Sequence, residues 1–500
     1  MLEIYTDGTM ITVNRKNEAL LYITSEDSGI LMELSEYFTF YADGYKWMPS
    51  YKNKQWDGKI RLYNRMNSTI PYGLLNEVLQ FAKDRGYQVN LSNEIENRFS
   101  YDESYIDSLP LCSGGKEIEA RDYQKKAFEF ATENGKAILV SPTGSGKSLI
   151  IYMLIRYYLQ EELNKKVIIV VPTTSLVEQM YKDFADYSTN DSDFDVEEDV
   201  HRIYSGKEKT FDQSVVITTW QSAIKLPQQW FEQFGCIIGD EAHTFKAKSL
   251  TTIMNRLIHA EMRIGTTGTL DGGQVNELTL IGNFGPVYKV TTTQTLIDSD
   301  TLADLKIQSL VLKYSDEVRK AFGKQKYQDE IDFIVSHEKR NRFITNLALD
   351  QTGNTLVLYN LVKKHGEPLF KEIRDRAGKR KVFFVSGSVN AEEREKIRTV
   401  TEKEKNAIIV ASVGTFSTGI NIRNLHNIIF ASPTKSQIRV LQSIGRGLRK
   451  SENGQGTVVY DLADDLSWKK RKNYTLNHAV ERVKIYNKER FNYQIHEVPL

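Results

Sequence analysis

Cysteine is scarce in this chain: two residues, Cys112 and Cys236, among 500. Two thiols so far apart make no disulfide framework and no zinc-ligand pair, which fits a reducing compartment. Net charge is nearly absent too, at +1 from 66 basic and 65 acidic residues. The chain as a whole is therefore not a polybasic binder, and any nucleic-acid footprint must be a local patch. No run approaches the roughly eighteen apolar residues that a membrane helix requires. The stretch 1–11 carries Glu3 and Asp7 and lacks the basic-then-apolar pattern of a secretory signal. There is no low-complexity tract and no short-period repeat. These absences lead to the expectation of a cytoplasmic protein without membrane contact.

What is present is enough apolar material, 40% of the residues, for real cores. The length suggests about three or four domains. From about residue 115, short β-rich runs alternate with helical stretches. Strands are expected at 137–140, 167–171, 215–219, 236–238 and 262–265. A second series is expected at 355–359, 381–385, 407–410, 427–430 and 457–460. Such alternation means buried parallel sheets with crossover helices, and two series mean two α/β lobes. Residues 1 to about 110 break this rhythm and read as a separate module. The stretch 290–350 reads as a hinge with a helix over 327–349. A basic tail after Leu466 carries a helix near 478–491. The expected domains are 1–112, 113–300, 301–465 and 466–500. The motifs all lie beyond the first of these, so the motor is expected to fold without residues 1–110.

Residues 142–148 read Pro-Thr-Gly-Ser-Gly-Lys-Ser, between an expected strand and an expected helix. Gly144 and Gly146 let backbone N–H groups approach phosphate oxygens, flanked by Thr143 and Ser145. The positive end of the following helix points at the same anion. Lys147 would reach the β- and γ-phosphates of ATP, and the Ser148 hydroxyl would bind Mg2+. About a hundred residues on, Asp240-Glu241-Ala242-His243 follows an apolar strand. There Asp240 can hold the metal and Glu241 can orient and deprotonate a water. An isolated acidic pair is more often an exposed turn; its place after a phosphate loop argues otherwise. Residues 442–449 read Gln-Ser-Ile-Gly-Arg-Gly-Leu-Arg. Arg446 and Arg449, three apart, share a helix face with Gln442 and can neutralise charge on the γ-phosphate. The ordinary alternative is a solvated basic face, since Lys450 follows.

Together with Thr267-Gly268-Thr269, these elements resemble a superfamily-two helicase over roughly 115–465. The resemblance implies two tandem RecA-like P-loop lobes with parallel sheets, plus a small N-terminal α+β module and a short helical C-terminal element. It implies ATP bound between the lobes and nucleic acid across both. Within Arg121-Asp122-Tyr123-Gln124 it assigns Gln124 to adenine. Pro172-Thr173 and Thr219-Trp220-Gln221 take the place of strand-tracking motifs, and Ser417-Thr418-Gly419-Ile420 that of a motif touching both nucleic acid (Thr418) and nucleotide (Gly419). Many relatives have an acid after that isoleucine, where this chain has Asn421.

A narrower resemblance, to the UvsW-type recombination helicases of tailed bacteriophages, covers almost the whole chain. It rests on Tyr41-Ala42-Asp43-Gly44-Tyr45, Trp56-Asp57-Gly58-Lys59-Ile60-Arg61-Leu62, Pro71-Tyr72-Gly73-Leu74 and the core motifs. It implies ATP-dependent unwinding of branched DNA (Holliday junctions, stalled forks, R-loops with their RNA–DNA hybrid) in recombination, replication and repair. The compartment would then be the host cytoplasm. No partner protein is named by the sequence.

The patch 44–65 sets Lys46, Lys52, Lys54, Lys59, Arg61 and Arg65 against Asp57, with Tyr45, Trp47, Tyr51, Trp56 and Tyr63 interleaved. Cations meet phosphates and aromatic faces stack on unpaired bases. A half-buried strand face with solvated lysines is the equal alternative. Lys469-Lys470-Arg471-Lys472 in the tail is a solvated run or a second DNA contact. An RNA helicase, the motor subunit of a restriction enzyme and a non-catalytic nucleic-acid scaffold remain as alternatives.

Overall fold

The computed structural model describes residues 10–500 apart from 43, 96, 163, 205–207, 245–246, 271–273, 300–304, 323–325, 387–396, 398–399, 402, 416–424, 434–455 and 489. The chain divides into two compact units: Met1–Ser141 with Gly146–Val290, and Thr291–Leu500 with Pro142–Ser145.

The first unit opens with β1 (Met10–Arg15) and β2 (Leu20–Thr24), then β3 (Thr39–Tyr41), β4 (Lys59–Arg61), β5 (Thr69–Pro71) and β6 (Gln88–Leu91). A sheet in the order β5-β2-β1-β6 forms the body of this module, and β3 pairs with β4 as a separate small ribbon. A two-residue pair, β7 (Cys112–Ser113) and β8 (Lys116–Glu117), leads into the main sheet. Its strands are β9 (Lys136–Val140), β10 (Lys166–Val171), β11 (Val200–Ile203), β12 (Val215–Thr219), β13 (Phe234–Asp240), β14 (Met262–Thr267) and β15 (Val287–Lys289). They run parallel in the order β11-β12-β10-β13-β14-β9-β15.

Strand periodicity divides the core between the two faces. Ala137, Leu139, Val167, Ile169, Val171, Cys236 and Ile238 pack on one side with the helix Lys147–Glu161. Ile138, Ile168, Val170 and Ile237 face the other side, where they share one apolar cluster with Ile11, Val13, Leu21, Leu34, Leu74 and Phe81 of the N-terminal module. Each such side chain contributes about 1.5–3 kcal/mol when fully buried. The module is thus built onto the sheet. Gly73 makes this explicit: a Cβ there would lie 1.9 Å from the Ile281 carbonyl oxygen, on the helix Gln274–Phe284. Phe99, Tyr105, Ile106 and Leu111 lie in the core of the other face. The boundary expected at 112 therefore falls inside that core.

The second unit holds β16 (Leu305–Lys313), β17 (Thr355–Tyr359), β18 (Val382–Val385), β19 (Ile408–Ser412), β20 (Asn427–Phe430), β21 (Thr457–Asp465) and β22 (Tyr493–Pro499). They form a parallel sheet in the order β18-β19-β17-β20-β21-β16-β22. Two expectations change here. The stretch 290–350 contributes β16 to the sheet, and its single expected helix is two, Tyr327–Ser336 and Glu338–Asp350. His337 breaks them with an extended backbone, and its side chain accepts from the Arg340 N–H to cap the second. The tail carries the expected helix, with a strand besides. Its helix Tyr474–Lys488 is pinned to β21 by buried Arg482 and Tyr486, both donating to Asp461 at 3.0 Å. Its last strand, β22, extends the sheet beside β16.

Candidate active site and nucleic-acid surface

In a parallel sheet all strands deliver their C-terminal ends to one edge, and loops there form the site. At that edge of the first sheet lie the ends of β9, β10, β12, β13 and β14, which are the expected motifs. After β9, the Ser141 N–H donates to the Thr267 carbonyl at 2.8 Å, tying the phosphate loop to the end of β14. Gly144 (φ 86°) and Gly146 (φ 79°) adopt left-handed backbone that other residues enter at a cost. Gly146 caps the helix Lys147–Glu161, whose positive end suits an anion. A Cβ on Gly146 would lie 2.4 Å from Gln124 Nε2. Only glycine fits there, and the residue assigned to adenine sits directly against the phosphate loop. Gln124 is buried, and its Oε1 accepts from the Arg121 N–H at 2.9 Å. Arg121 itself is exposed and donates to the Tyr123 hydroxyl. Thr143 is half-buried, and the Ser145 hydroxyl closes the turn onto the Pro142 carbonyl at 2.7 Å.

Lys147 Nζ lies 2.5 Å from Glu241 Oε1. Glu241 has φ 51°, an uncommon conformation for a non-glycine residue that costs on the order of 1–3 kcal/mol. It follows the end of β13 immediately, next to Asp240. Burial pushes the Asp240 carboxyl up, and Lys147 only partly offsets that rise. Burial acts on Glu241 as well, but Lys147, His243 and its hydrogen bonds outweigh it and hold the carboxyl below its usual range. Two carboxylates, Asp240 buried and Glu241 half-buried, against one ammonium leave an excess of negative charge. That donor set fits a divalent cation, with Ser148 and Asp240 as the residues to hold it. Ser148 Oγ is 2.9 Å from the Tyr187 hydroxyl.

Sequence reasoning missed two neighbours of this centre, Thr266 and Tyr187, and gave His243 no role. Thr266 donates to Asp240 Oδ1 at 2.7 Å; the two stand opposite each other in register across β13 and β14. His243 Nδ1 lies 2.5 Å from Thr267 Oγ1, which in turn donates to the Thr269 carbonyl at 2.8 Å. The motif containing Asp240 is thereby linked to Thr267-Gly268-Thr269. Tyr187 has no signal in sequence, since it arrives from the end of a neighbouring helix.

Among the residues expected to track nucleic acid, Gln221 Nε2 donates to the Pro172 carbonyl at 3.2 Å. Thr173 caps the helix Thr174–Tyr187, and Thr219 donates to Ser222 Oγ at 3.0 Å. The four expected strand-tracking residues are therefore contiguous. In the N-terminal patch, Lys52, Lys54 and Arg61 are exposed, Lys59 and Trp56 half-buried. Arg61 pairs with Asp57, and Trp56 Nε1 donates to the Lys59 carbonyl at 2.9 Å. Thr418, Gly419, Gln442, Arg446 and Arg449 lie outside the described residues.

Residues 11–92 match the family described as "DNA helicase UvsW, N-terminal". Residues 84–272 match "Type III restriction enzyme, res subunit", and 338–451 match "Helicase conserved C-terminal domain". The ATP-dependent DNA helicase uvsW of Enterobacteria phage T4 is 38% identical, over 94% of this chain and 95% of its own. The chain belongs to the UvsW helicase family. The crystal structure of T4 UvsW agrees, at 35% identity and TM-score 0.52, covering 98% of this chain and 99% of that one. A more distant relative, the DNA 3'-5' translocase XPB2 of Sulfurisphaera tokodaii, is 24% identical over 74% of this chain and 89% of its own. As a UvsW-family member the chain is a nucleic-acid-dependent ATPase and helicase. Among the described residues no helix is long and apolar enough to cross a membrane.

Proposed function

We propose that this protein is an ATP-dependent DNA helicase that remodels branched DNA (Holliday junctions, stalled forks and R-loops) in phage recombination, replication and repair. The observation that carries the reading is near full-length similarity to a phage DNA helicase, joined to an intact Lys147–Glu241 centre. In this reading Gln124 and Arg121 hold the adenine end of ATP. Thr143, Gly144, Ser145 and Gly146 wrap the phosphates with backbone N–H groups, and Lys147 adds the cation. Mg2+ held by Ser148 and Asp240 would neutralise charge on the phosphate oxygens. Glu241 takes the proton of the attacking water. A triphosphate competes with Glu241 for Lys147, so the ammonium that engages phosphate also releases the base. Gln442, Arg446 and Arg449 are proposed to stabilise the charge that develops during transfer, and Gly419 and Thr418 to touch nucleotide and nucleic acid.

Pro172, Thr173, Thr219 and Gln221 are proposed to grip the tracked strand, and Lys52, Lys54, Trp56, Lys59 and Arg61 to hold the branch. Host cytoplasm is the proposed compartment. The test is an ATPase and unwinding panel across fork, four-way junction, R-loop, blunt duplex and RNA duplex. Preference for the first three supports the reading. Equal work on RNA duplex makes the protein a general helicase, and ATP turnover with no unwinding points to a bare translocase.

A further inference from the structure

The aromatic side chains of the N-terminal patch divide into two groups once their surroundings are known. Tyr63 is buried, and its hydroxyl donates to the Ile23 carbonyl at 3.3 Å. Trp56 is half-buried and hydrogen-bonded within its own turn. Tyr45 stacks on Tyr41 at 4.6 Å, meets Tyr51 edge-on at 4.8 Å and covers Gly58, where a Cβ would lie 2.4 Å from its ring. These rings build the small β3–β4 ribbon. Trp47 does not. It is 79% exposed, on the single turn Tyr45–Trp47.

An indole is a large apolar surface to leave in water, and burying one is worth several kcal/mol. Its neighbours are cationic. Lys52 Nζ stands 5.5 Å from the Trp47 ring centroid, and Lys46 Nζ 5.8 Å from that of Tyr45. Lys54 is exposed in the turn that follows the helix Pro49–Lys52. An exposed π-system with one ammonium group over its ring and further lysines along the same segment has the two chemistries of an unpaired nucleotide's partner: a stack for the base and charge for the phosphates beside it. A paired base has its faces occupied by its neighbours, so this combination selects unpaired nucleotides.

We infer that Trp47 is a stacking platform for an unpaired base at a DNA branch point, with Lys46, Lys52 and Lys54 taking the adjoining phosphates. This deepens the proposed function and rests on it for the identity of the substrate. It makes Trp47 the residue that distinguishes a fork with unpaired arms from uninterrupted duplex, by binding what only the former offers.

The test uses the full-length protein without nucleotide. Binding of a thymidine oligonucleotide, a fork with unpaired arms and a blunt duplex is measured by anisotropy for wild type, Trp47→Ala, Trp47→Tyr and Lys52→Ala/Lys54→Ala. Trp47→Ala is expected to weaken oligonucleotide and fork binding by about 5- to 150-fold, the range for one lost base stack, with little change on blunt duplex. Trp47→Tyr keeps most of the affinity. The lysine variant weakens all three DNAs and flattens the salt dependence. In wild type, a 2-aminopurine base in the oligonucleotide is quenched on binding, a readout that needs no variant. Wild-type affinity of Trp47→Ala for oligonucleotide and fork overturns the platform. So does an equal loss on all three DNAs, which makes Trp47 a structural residue. Failure of the helicase reading itself registers separately, as a wild type whose ATP turnover no DNA stimulates.

Discussion

At the scale of single residues, Lys147 and Glu241 carry the sharpest expectations. Lys147→Ala removes the cation of the phosphate loop, and ATP turnover is expected to fall by at least about a hundredfold, as for other lost electrostatic stabilisers. Binding to DNA without nucleotide largely persists; steady-state hydrolysis and an equilibrium binding titration check both. Glu241→Gln keeps the size and loses the proposed base, so turnover is expected to drop by about 10²–10⁴ while Mg-ATP still binds. A labelled-nucleotide binding assay on that variant separates the two effects, and loss of binding would make Glu241 a structural residue. These two were legible in sequence because phosphate chemistry dictates the residue types as well as their order. Thr266 and Tyr187 were not. Each reaches the centre through register or helix packing, which residue order does not encode locally.

At the scale of elements, Gly73 and His365 make different demands. A methyl group at Gly73 meets backbone atoms of the helix Gln274–Phe284, which cannot rotate away. Gly73→Ala is expected to cost about 1–3 kcal/mol, read as a lower denaturation midpoint, by forcing the N-terminal module off that helix. His365 lies in a π-helical turn, Val362–Gly366, fully buried, with Nδ1 2.8 Å from Ser432 Oγ. Burial pulls its pKa from 6.5 down to about 3, with Arg340 adding to the fall. The unfolded chain therefore takes up this proton first. The stability His365 lends is complete above pH 6.5 and declines as the pH falls from there toward 3. The slope approaches about 1.4 kcal/mol per pH unit for one such group. Denaturant melts at pH 8, 6 and 5 are expected to show this loss in wild type and a smaller one in His365→Gln. Strands with dense β-branched runs were readable in advance. Those at the margin were not: Tyr493–Pro499 is mostly exposed and mostly polar, and Leu305–Lys313 reads equally well as a connector until its neighbours are known.

At the scale of the whole molecule, the N-terminal module cannot be treated as an accessory. Deleting residues 1–110 strips Phe99, Tyr105 and Ile106 from one core and the module's half of another. The first three alone amount to roughly 5–9 kcal/mol, as much as many domains possess in total. The truncated protein is expected to be insoluble, or to lose its cooperative melt by circular dichroism. Soluble two-state unfolding of that fragment would show that the shared core contributes little. The sequence suggested a separable module because a change of rhythm marks a change of architecture. It does not reveal which surfaces the two architectures bury against each other.

The placement of β16 has a consequence for how the chain emerges from the ribosome. The main sheet of the first unit needs nothing beyond Lys289, so it can close while the remainder is still being made. β16 is translated soon afterwards, yet its two neighbours, β21 and β22, begin only at Thr457 and Tyr493. At roughly 5–20 residues per second, a strand carrying Ile307, Leu310, Val311 and Leu312 waits on the order of ten seconds or more with both edges open. During that interval it is the natural client for a chaperone, and the nascent chain is more exposed to misassembly than the finished protein.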